Sequence, residues 1–265
     1  MSIPVIWVDA FTDVPFAGNP AAVCLLDEPL DEARLPRLAF EFGLSETAFV
    51  TPTADPLAFG LRWFTPAVEV DLCGHATLAA AHALRHAGRV DGSAPLTFDT
   101  RSGPLQAGFD GDRIVLTFPA DPMAPVTLPE SLAGQWPGAV VAVGRTGFFL
   151  LVVLDDAALV RDYRPDLVAI AAAGASALLL TAAAAAGSGD DYVLRVFGPN
   201  VGIDEDPATG SAQCSAGPYW AEVLGRAFLV ARQLSPRGAV LYVRPEGDRV
   251  HIAGAATTVL TGHLC

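Results

Sequence analysis

The sequence predicts an α+β fold of two pseudo-symmetric lobes, each a strand-rich shell wrapped around one central helix. Two observations lead to this prediction. The chain repeats itself at about half its length, with the same order of elements in each copy. Each copy also contains one helix that is small or apolar on nearly every side. Because such a helix is normally buried, the strands of each copy are expected to surround it.

The repeat is clearest where segment 62–83 aligns with segment 195–216 without a gap. An Arg-x-Phe-x-Pro pattern begins at Arg62 in the first copy and at Arg195 in the second. We expect these arginines to hold the segment before each central helix. A weaker match aligns 23–28 with 151–156. The repeat therefore predicts an N-terminal lobe at 1–125 and a C-terminal lobe at 126–250, with 251–265 as a strand that returns to the first lobe.

Each copy reads as an apolar strand, a short helix, a second strand, an extended stretch ending in Phe-x-Pro, and the small-residue helix. The first of these helices is predicted at 74–87. The second is predicted to begin near Pro207, because proline is favoured at the first helical position, and to end near Gly225. The uncharged run at 167–187 is interpreted as a helix followed by a buried strand, and not as a membrane span.

Composition excludes several classes of function. All 16 basic residues are arginine, so the chain has no lysine for a Schiff base or a P-loop. The net charge of −13 argues against a nucleic-acid partner. The four cysteines form no CxxC pair and the first residues do not resemble a secretory signal, which together predict a cytoplasmic protein with reduced thiols.

The starts of the two central helices are candidate anion sites. They read Cys73-Gly-His-Ala-Thr and Asp206-Pro-Ala-Thr-Gly-Ser. The first backbone N–H groups of a helix have no partner inside it, so they can bind an anion. We expect a small carboxylate substrate there, bound with the help of the following residues: Gly74, Thr209, Gly210 and Ser211.

The two copies differ at positions that carry chemistry. Cys73 aligns with Asp206, and His75 aligns with Ala208. Glu46 is a lone carboxylate among apolar neighbours, and burial of that kind is expected to raise its pKa into the range useful for general acid–base catalysis. A carboxylate that simply caps a helix or turn remains an alternative. No third ligand of matching spacing follows His82 and His86, so no metal site is predicted.

Five stretches resemble the PhzF (phenazine biosynthesis-like) family. They occur in the order of that family and span nearly the whole chain. They read Asp9-Ala-Phe-Thr-Asp-Val-Pro-Phe-Ala-Gly-Asn-Pro-Ala-Ala-Val, Leu44-Ser-Glu-Thr-Ala-Phe-Val, Arg62-Trp-Phe-Thr-Pro followed by Asp71-Leu-Cys-Gly-His-Ala-Thr, Gly202-Ile-Asp-Glu-Asp-Pro-Ala-Thr-Gly-Ser-Ala, and Gln233-Leu-Ser-Pro-Arg-Gly.

The resemblance implies the diaminopimelate epimerase-like fold, in which each lobe is a β-barrel-like sheet around a central helix. It also implies a homodimer and a cofactor-independent isomerase. It implies that Glu46 is the general base, which takes a C–H proton and returns it elsewhere on the substrate. His75 and Asp206 would position the substrate or relay the proton. The residues expected to bind the substrate's polar groups are Asn19, Gly74, Thr209, Gly210 and Ser211.

Two alternatives remain at this stage. In the epimerases and racemases of this fold, two opposed cysteines act as acid and base. This chain has only the first of them, Cys73, so that chemistry is disfavoured, although a mixed pair of Cys73 and Asp206 remains open. The other alternative is a non-catalytic dimeric binding protein. The sequence does not identify the substrate.

Overall fold

A computed structural model describes residues 2–265. The chain divides into two compact units, residues 2–117 with 253–265, and residues 118–252. The observed boundaries lie at 117/118 and 252/253, whereas the sequence repeat predicts 125/126 and 250/251. No helix among the described residues is long and apolar enough to span a bilayer.

The described residues of the first unit form nine strands and two helices. The strands are β1 (Ile3–Ala10), β2 (Asn19–Leu25), β3 (Glu46–Pro52), β4 (Ala58–Phe64), β5 (Glu69–Val70), β6 (Leu96–Thr100), β7 (Gly103–Asp110), β8 (Arg113–Pro119) and, at the end of the chain, β18 (Ala256–Leu264). The helices are α1 (Arg34–Phe42) and α2 (Gly74–His86).

Strand pairing in this unit follows the order β18, β1, β2, β3, β4, β6, β7, β8. Two pairs, β2 with β3 and β4 with β6, are parallel, and the others are antiparallel. The short strand β5 adds to β4. Parallel neighbours need a crossover connection, and α1 and α2 lie in the two crossovers.

Helix α2 is the centre of the first unit. It contacts β1, β2, β3, β7 and β18, strands from both ends of the pairing order, so the sheet wraps around it. Alanines between Ala76 and Ala83 are fully buried, because small side chains let the surrounding strands approach closely. Helix α1 contributes Leu35 to a separate apolar cluster, which also contains Phe49 and Phe64. The sequence prediction of a central helix at 74–87 is confirmed.

The second unit repeats this plan. Its strands are β9 (Ala124–Pro125), β10 (Val140–Arg145), β11 (Phe149–Leu154), β12 (Ala177–Ala183), β13 (Tyr192–Gly198), β14 (Ile203–Asp206), β15 (Leu229–Gln233), β16 (Ala239–Glu246) and β17 (Arg249–Gly254). Its helices are α3 (Ala157–Asp162), α4 (Leu167–Ala172) and α5 (Gln213–Leu224), with 3-10 turns at Glu130–Leu132 and Pro199–Val201.

The strand pairings of the two units match. In the second unit β11 and β12 are parallel, β12 and β13 antiparallel, β13 and β15 parallel, and β14 adds to β13. The corresponding pairs of the first unit, in the same order, are β2 with β3, β3 with β4, β4 with β6, and β4 with β5. Helix α4 followed by the buried strand β12 accounts for the uncharged run at 167–187. The duplication read in the sequence is therefore also a duplication of topology.

The repeated Arg-x-Phe pattern has a structural explanation. Residues two apart on a strand share one face, so each arginine lies over the phenylalanine that follows it. The guanidinium of Arg62 is 5.2 Å from the ring centre of Phe64, and that of Arg195 is 4.8 Å from Phe197. Arg62 also pairs with Glu69 of β5 at 2.7 Å. The equivalent pair, Arg195 with Glu205 of β14, has the same length. Each arginine thus fastens the short strand before the central helix.

One helix boundary predicted from the sequence is wrong. Helix α5 begins at Gln213, not near Pro207, and residues 207–212 form a turn. The backbone N–H of Thr209 donates to the side-chain Oε1 of Gln233 at 2.7 Å, which holds the turn outside the helix. The C-terminal end agrees with the prediction, since Gly225 adopts a left-handed conformation with φ of 63° directly after Leu224.

Candidate active site

Three elements of the first unit bring polar side chains together. Asn19 is the first residue of β2, Glu46 is the first residue of β3, and His75 is the second residue of α2. Strands β2 and β3 are parallel, with Ala21 opposite Glu46, so their first residues lie at the same edge of the sheet. The helix begins at that edge too, since α2 packs against both strands.

Local interactions fix where α2 begins. Cys73, the residue before the helix, is extended, with φ of −146° and ψ of 109°. Its carbonyl oxygen accepts hydrogen bonds from both the N–H and the hydroxyl of Thr77, the latter at 2.6 Å. The side chain of His75 therefore projects from the first turn of a well-anchored helix.

The central contact is an ion pair between His75 and Glu46. Nε2 of His75 lies 3.1 Å from Oε2 of Glu46, and the two residues are only 6% and 8% exposed. Oε2 accepts no well-aligned hydrogen bond from the described residues, so the contact is an ion pair and not a directional hydrogen bond. Catalytic hydrogen bonds are often poorly aligned before substrate binds, so this geometry is compatible with proton transfer.

The opposite ring nitrogen of His75 faces Asn19. The amide Nδ2 of Asn19 lies 3.2 Å from Nδ1, and Asn19 is fully buried. Ser45 connects the two sides of the ring: its hydroxyl donates to Oδ1 of Asn19 at 3.3 Å and lies 3.4 Å from Nε2 of His75. The Sγ of Cys73 is 3.5 Å from Nδ1. One imidazole is thus surrounded by an amide, a hydroxyl, a thiol and a carboxylate.

The expectation that burial raises the pKa of Glu46 is wrong in its net direction. Burial does raise the pKa, but the nearby charge of His75 and hydrogen bonds to the carboxylate outweigh it, so the pKa of Glu46 is lowered. For His75, burial lowers the pKa, and the interactions with Cys73 and Glu46 overcome this effect and raise it well above 6.5. The pair therefore favours a carboxylate beside an imidazolium.

Cys73, unlike Glu46 and His75, is shifted toward its uncharged form. Burial raises the pKa of its thiol, and the negative charge of Glu46 raises it further. A thiol of raised pKa holds little thiolate near neutral pH and is a poor nucleophile. Cys214, the other cysteine of the region aligned with α2, is buried in α5, with a pKa raised to about 12 by burial.

These side chains are also the set with metal-ligand chemistry. Within the described residues, donor atoms of Glu46, Cys73 and His75 lie within 4.8 Å of one another. A carboxylate, a thiolate and an imidazole are ligands that suit Zn²⁺. In this structure, however, Glu46 forms an ion pair with His75, and a protonated histidine cannot bind a metal through the same nitrogen. His82 and His86 lie elsewhere on α2, where their rings stack at 6.0 Å and both contact the hydroxyl of Thr258.

In the second unit, the predicted residues lie in and beside the turn before α5. Asp206 ends β14, and its Oδ2 accepts a 2.5 Å hydrogen bond from the hydroxyl of Thr209. The Nε2 of Gln233 donates to the Asp206 carbonyl at 2.7 Å and to the Thr209 hydroxyl at 3.0 Å. Ser235 donates to the carbonyl of Pro207. The turn is therefore fixed by side chains from the β15 end.

A second layer supports this turn. Gln213 donates through Nε2 to the carbonyl of Thr209 at 3.2 Å, and Tyr192 donates to Oε1 of Gln213 at 2.5 Å. These groups are buried, and a satisfied buried network of this kind rigidifies the segment it holds. Asp206 is thereby held in one orientation by bonds that reach it through Thr209.

The turn keeps backbone donors available. The N–H groups of Gly210, Ser211 and Ala212 have no acceptor in the described part of the chain, whereas that of Thr209 is bound to Gln233. In the first unit the N–H groups of Gly74 and His75 open α2 and likewise have no helical partner. Each unit thus offers a short row of donors suited to a carboxylate or another anion.

Several residues around these sites were not singled out in the sequence. Ser45 and the group Gln233, Ser235, Gln213 and Tyr192 reach the predicted residues through hydrogen bonds. Ser45 precedes Glu46, and Gln233 opens the last stretch of the family resemblance, so both were visible as motif residues. For Tyr192 and Gln213 the sequence offers no signal, because their contacts depend on β13 and α5 packing together.

Comparisons with known proteins agree with this fold. The sequence model of the phenazine biosynthesis-like protein family, PhzC–PhzF, matches residues 8–262. An uncharacterized isomerase of Pseudomonas aeruginosa is 44% identical, with 100% of this chain and 99% of the relative covered.

Solved structures extend the comparison. The crystal structure of a PhzF-family protein from Enterococcus faecalis is 36% identical and superposes with a TM-score of 0.93 over 100% of both chains. A hydroxyproline epimerase of Agrobacterium vitis shares the fold, with a TM-score of 0.63 at 13% identity over 99% of this chain and 92% of the other. The α+β fold predicted from the repeat is thereby confirmed, and the chain belongs to the phenazine biosynthesis-like (PhzC–PhzF) family.

Proposed function

We propose that this protein is a cofactor-independent isomerase that moves a proton between two positions of a small carboxylate substrate. The observation that carries the proposal is the buried pair of Glu46 and His75, 3.1 Å apart at the edge where β3 and α2 begin. Family membership and the name of the Pseudomonas aeruginosa relative, an isomerase, support the reaction class.

In the proposed reaction, the Glu46 carboxylate takes a proton from a carbon of the substrate. The C–H bond breaks, an O–H bond forms on Glu46, and the electron pair moves into the conjugated system of the substrate. Glu46 then returns the proton to a different carbon, which restores the carboxylate. Because its pKa is lowered, Glu46 is ionised and ready to accept at neutral pH.

His75, 3.1 Å from Oε2, would stabilise the negative charge that develops on the substrate while the proton is on Glu46. The proton held on Glu46 can exchange with solvent before it returns to the substrate. Backbone N–H groups at the start of α2 would bind the substrate carboxylate. For Asp206, Thr209, Gly210 and Ser211, the roles in positioning or binding substrate stay predictions from the sequence, as does the homodimer.

Solvent exchange tests the proposal and searches for the substrate at the same time. Small unsaturated carboxylic acids and amino acids are incubated with the protein in D₂O, and loss of C–H signals is followed by proton NMR. A compound that exchanges identifies the substrate class. We expect the Glu46→Gln variant to lower the exchange rate by about 10²–10⁴-fold, the usual contribution of a general base.

The matched control is Glu41→Gln, which alters an exposed glutamate of α1 and is expected to leave the rate unchanged. Exchange by Glu46→Gln at the wild-type rate would refute the role of Glu46. Loss of exchange in Cys73→Ser but not in Glu46→Gln would support the epimerase alternative instead. Binding of a compound without any exchange in the wild-type protein would support the non-catalytic alternative.

A further inference from the structure

The second unit contains a groove that shares no residue with the candidate active site. Its volume is about 460 Å³, which falls within the range of roughly 300–1,000 Å³ typical of small-molecule sites. The groove is lined by residues from two segments, 135–136 before β10 and 159–166 between the middle of α3 and the start of α4. None of these residues takes part in the proposed proton transfer, so the groove is a separate feature of the molecule.

Part of the lining of this groove is aromatic. The ring centres of Trp136 and Tyr163 are 5.0 Å apart, and the ring planes are inclined by 43°. The hydroxyl of Tyr163 donates a hydrogen bond to Oε1 of Gln135, which fixes the tyrosine ring beside the tryptophan. Leu159 adds an aliphatic side chain. A lining of this kind suits the ring of a ligand, because aromatic side chains offer a large and rigid apolar surface.

Two opposite charges of the lining have no charged partner. The guanidinium of Arg164 forms no hydrogen bond or ion pair with the described residues. Asp166 accepts the N–H of Ala169 through Oδ1 at 3.0 Å, and its Oδ2 accepts nothing from the described part of the chain. The third charge, Asp162, is already balanced, because its two oxygens accept from the guanidinium of Arg161 at 2.8 and 2.7 Å. The groove therefore presents one unpaired cation and one unpaired anion.

The backbone that carries these two charges is held at both ends. The carbonyl oxygen of Tyr163 accepts a hydrogen bond from Nη1 of Arg195 at 2.6 Å, and the side chain of Asp166 caps α4. Between them Pro165 has a fixed φ. Asp166 also lies close to the aromatic lining: burial raises the pKa of Tyr163, and the charge of Asp166 contributes to raising it. The anion, the cation and the rings thus belong to one preformed site.

The charges of the groove select the class of ligand. A carboxylate pairs well with a guanidinium, and an ammonium group pairs with a carboxylate. A ligand with only a negative charge would be repelled by Asp166, and a ligand with only a positive charge would be repelled by Arg164. An α-amino acid carries both charges next to each other, and an aromatic side chain on it would contact the rings of the lining.

We propose that this groove binds an α-amino acid with an aromatic side chain. Its carboxylate pairs with Arg164, its ammonium group pairs with Asp166, and its ring lies against Trp136 and Tyr163. The proposal goes beyond the proposed function and does not depend on it. Because both charges are exposed to solvent, each pair contributes modestly, and we expect a Kd on the order of 1 mM.

The indole N–H signals of the tryptophans report binding directly in ¹H–¹⁵N NMR spectra. The four tryptophans of the chain are Trp7, Trp63, Trp136 and Trp220. The signal of Trp136 is assigned by its absence in Trp136→Phe, and L-phenylalanine is the probe. We expect a saturable shift of the Trp136 signal. No shift at about ten times the expected Kd, or shifts confined to Trp7 and Trp63 of the first unit, would overturn the proposal.

Two further probes separate the charges. Phenylacetate keeps the ring and the carboxylate, and phenethylamine keeps the ring and the ammonium group. We expect each to bind the wild type about threefold or more weakly than L-phenylalanine, because it loses one ion pair and meets one like charge. Equal affinity for the three compounds would show that the ring alone is recognised, and it would overturn the assignment of an amino acid.

Arg164→Gln and Asp166→Asn each remove one charge, and asparagine still caps α4. Each variant should bind L-phenylalanine about threefold or more weakly. Arg164→Gln should bind phenethylamine better than the wild type does, and Asp166→Asn should bind phenylacetate better. Arg37→Gln, which alters an exposed arginine of α1, is the matched control and should change none of these affinities. Unchanged affinity of both groove variants for L-phenylalanine would overturn the proposal.

Two measurements exclude other occupants of the groove. Glu46→Gln should bind L-phenylalanine as the wild type does, since Glu46 belongs to the candidate active site; a loss of binding in this variant would place the ligand there instead. The Trp136 signal should also stay constant when the protein is diluted without ligand. A shift on dilution would identify the groove as a contact between two copies of the chain and overturn its role as an amino-acid site.

Discussion

Nε2 of His75 and Oε2 of Glu46 lie 3.1 Å apart, although the two residues come from different elements and are separated by β4, β5 and the start of α2 along the chain. Their pKa values move in opposite directions, downward for the acid and upward for the base. This relationship makes the pair a source of stability that depends on pH.

The pair should stabilise the fold most strongly between about pH 4.5 and 6.5, the ordinary pKa values of its two groups. The contribution of Glu46 is complete above 4.5 and is lost as the pH falls through its lower folded pKa. The contribution of His75 is complete below 6.5 and is lost as the pH rises through its higher folded pKa. Glu46→Gln should therefore cost about 3–5 kcal/mol within this window and less on either side.

Urea unfolding of the wild type and of Glu46→Gln at a series of pH values measures this difference. Glu41→Gln supplies the baseline, since that exposed carboxylate should change stability by less than about 0.5 kcal/mol at any pH. A cost of Glu46→Gln that is the same from pH 3 to pH 9 would contradict the assignment of the two charges.

The thiol of Cys73 should be slow to alkylate. It is buried, and burial together with the charge of Glu46 raises its pKa. Cys265 is exposed and provides a control within the same molecule. We expect iodoacetamide at pH 8 to modify Cys265 at least about tenfold faster than Cys73, as followed by peptide mass spectrometry. Faster modification of Cys73 would indicate a reactive thiolate and revive the epimerase alternative.

Gln233 should be essential to the turn before α5. Gln233→Leu removes the acceptor of the Thr209 N–H, which is buried, and the donor to the Asp206 carbonyl, which is partly buried. We expect a loss of about 2–4 kcal/mol in the free energy of unfolding and faster hydrogen exchange at the Thr209 amide. Gln106→Leu on β7, an exposed position, should change neither quantity. Equal effects of the two variants would rule out the bridging role of Gln233.

Gly18 is expected to tolerate no side chain. Gly18 and Gly111 have nearly the same left-handed backbone, with φ of 62° and 60°, but an added Cβ lies 2.1 Å from the Ala10 carbonyl oxygen at Gly18 and meets nothing within 4 Å at Gly111. Gly111→Ala should cost about 1 kcal/mol from backbone strain alone, and Gly18→Ala about 3 kcal/mol or more. Denaturant unfolding of both variants measures the difference, and similar costs would show that the turn can move away from the clash.

The sequence predicted those parts of the fold that depend on local pattern. Helix α2 begins at Gly74 as expected, because the small and apolar residues and the glycine at its start are local signals. The start of α5 was placed too early, because Asp206-Pro207 resembles a helix start and the bond from Thr209 to Gln233 that prevents it comes from a distant strand.

The candidate site shows the same division. Glu46 and His75 could be identified from their motifs, but the direction of the Glu46 pKa shift could not, because it depends on a histidine brought close only by folding. The contact of Asn19 with the histidine ring likewise depends on the position of β2 against α2. Residue identity thus predicted which groups make up the candidate site, and only tertiary structure assigned how each is charged and oriented.

The position of β18 has a consequence for synthesis of the protein on the ribosome. This strand is the last element of the chain, and it pairs with β1, the first. The second unit, residues 118–252, is continuous and can fold as soon as it emerges. The first unit lacks its β18 strand until residues 256–264 have been made, so one edge of β1 stays unpaired while residues 118–252 are synthesised. We expect that exposed edge of β1 to need protection from aggregation during this interval.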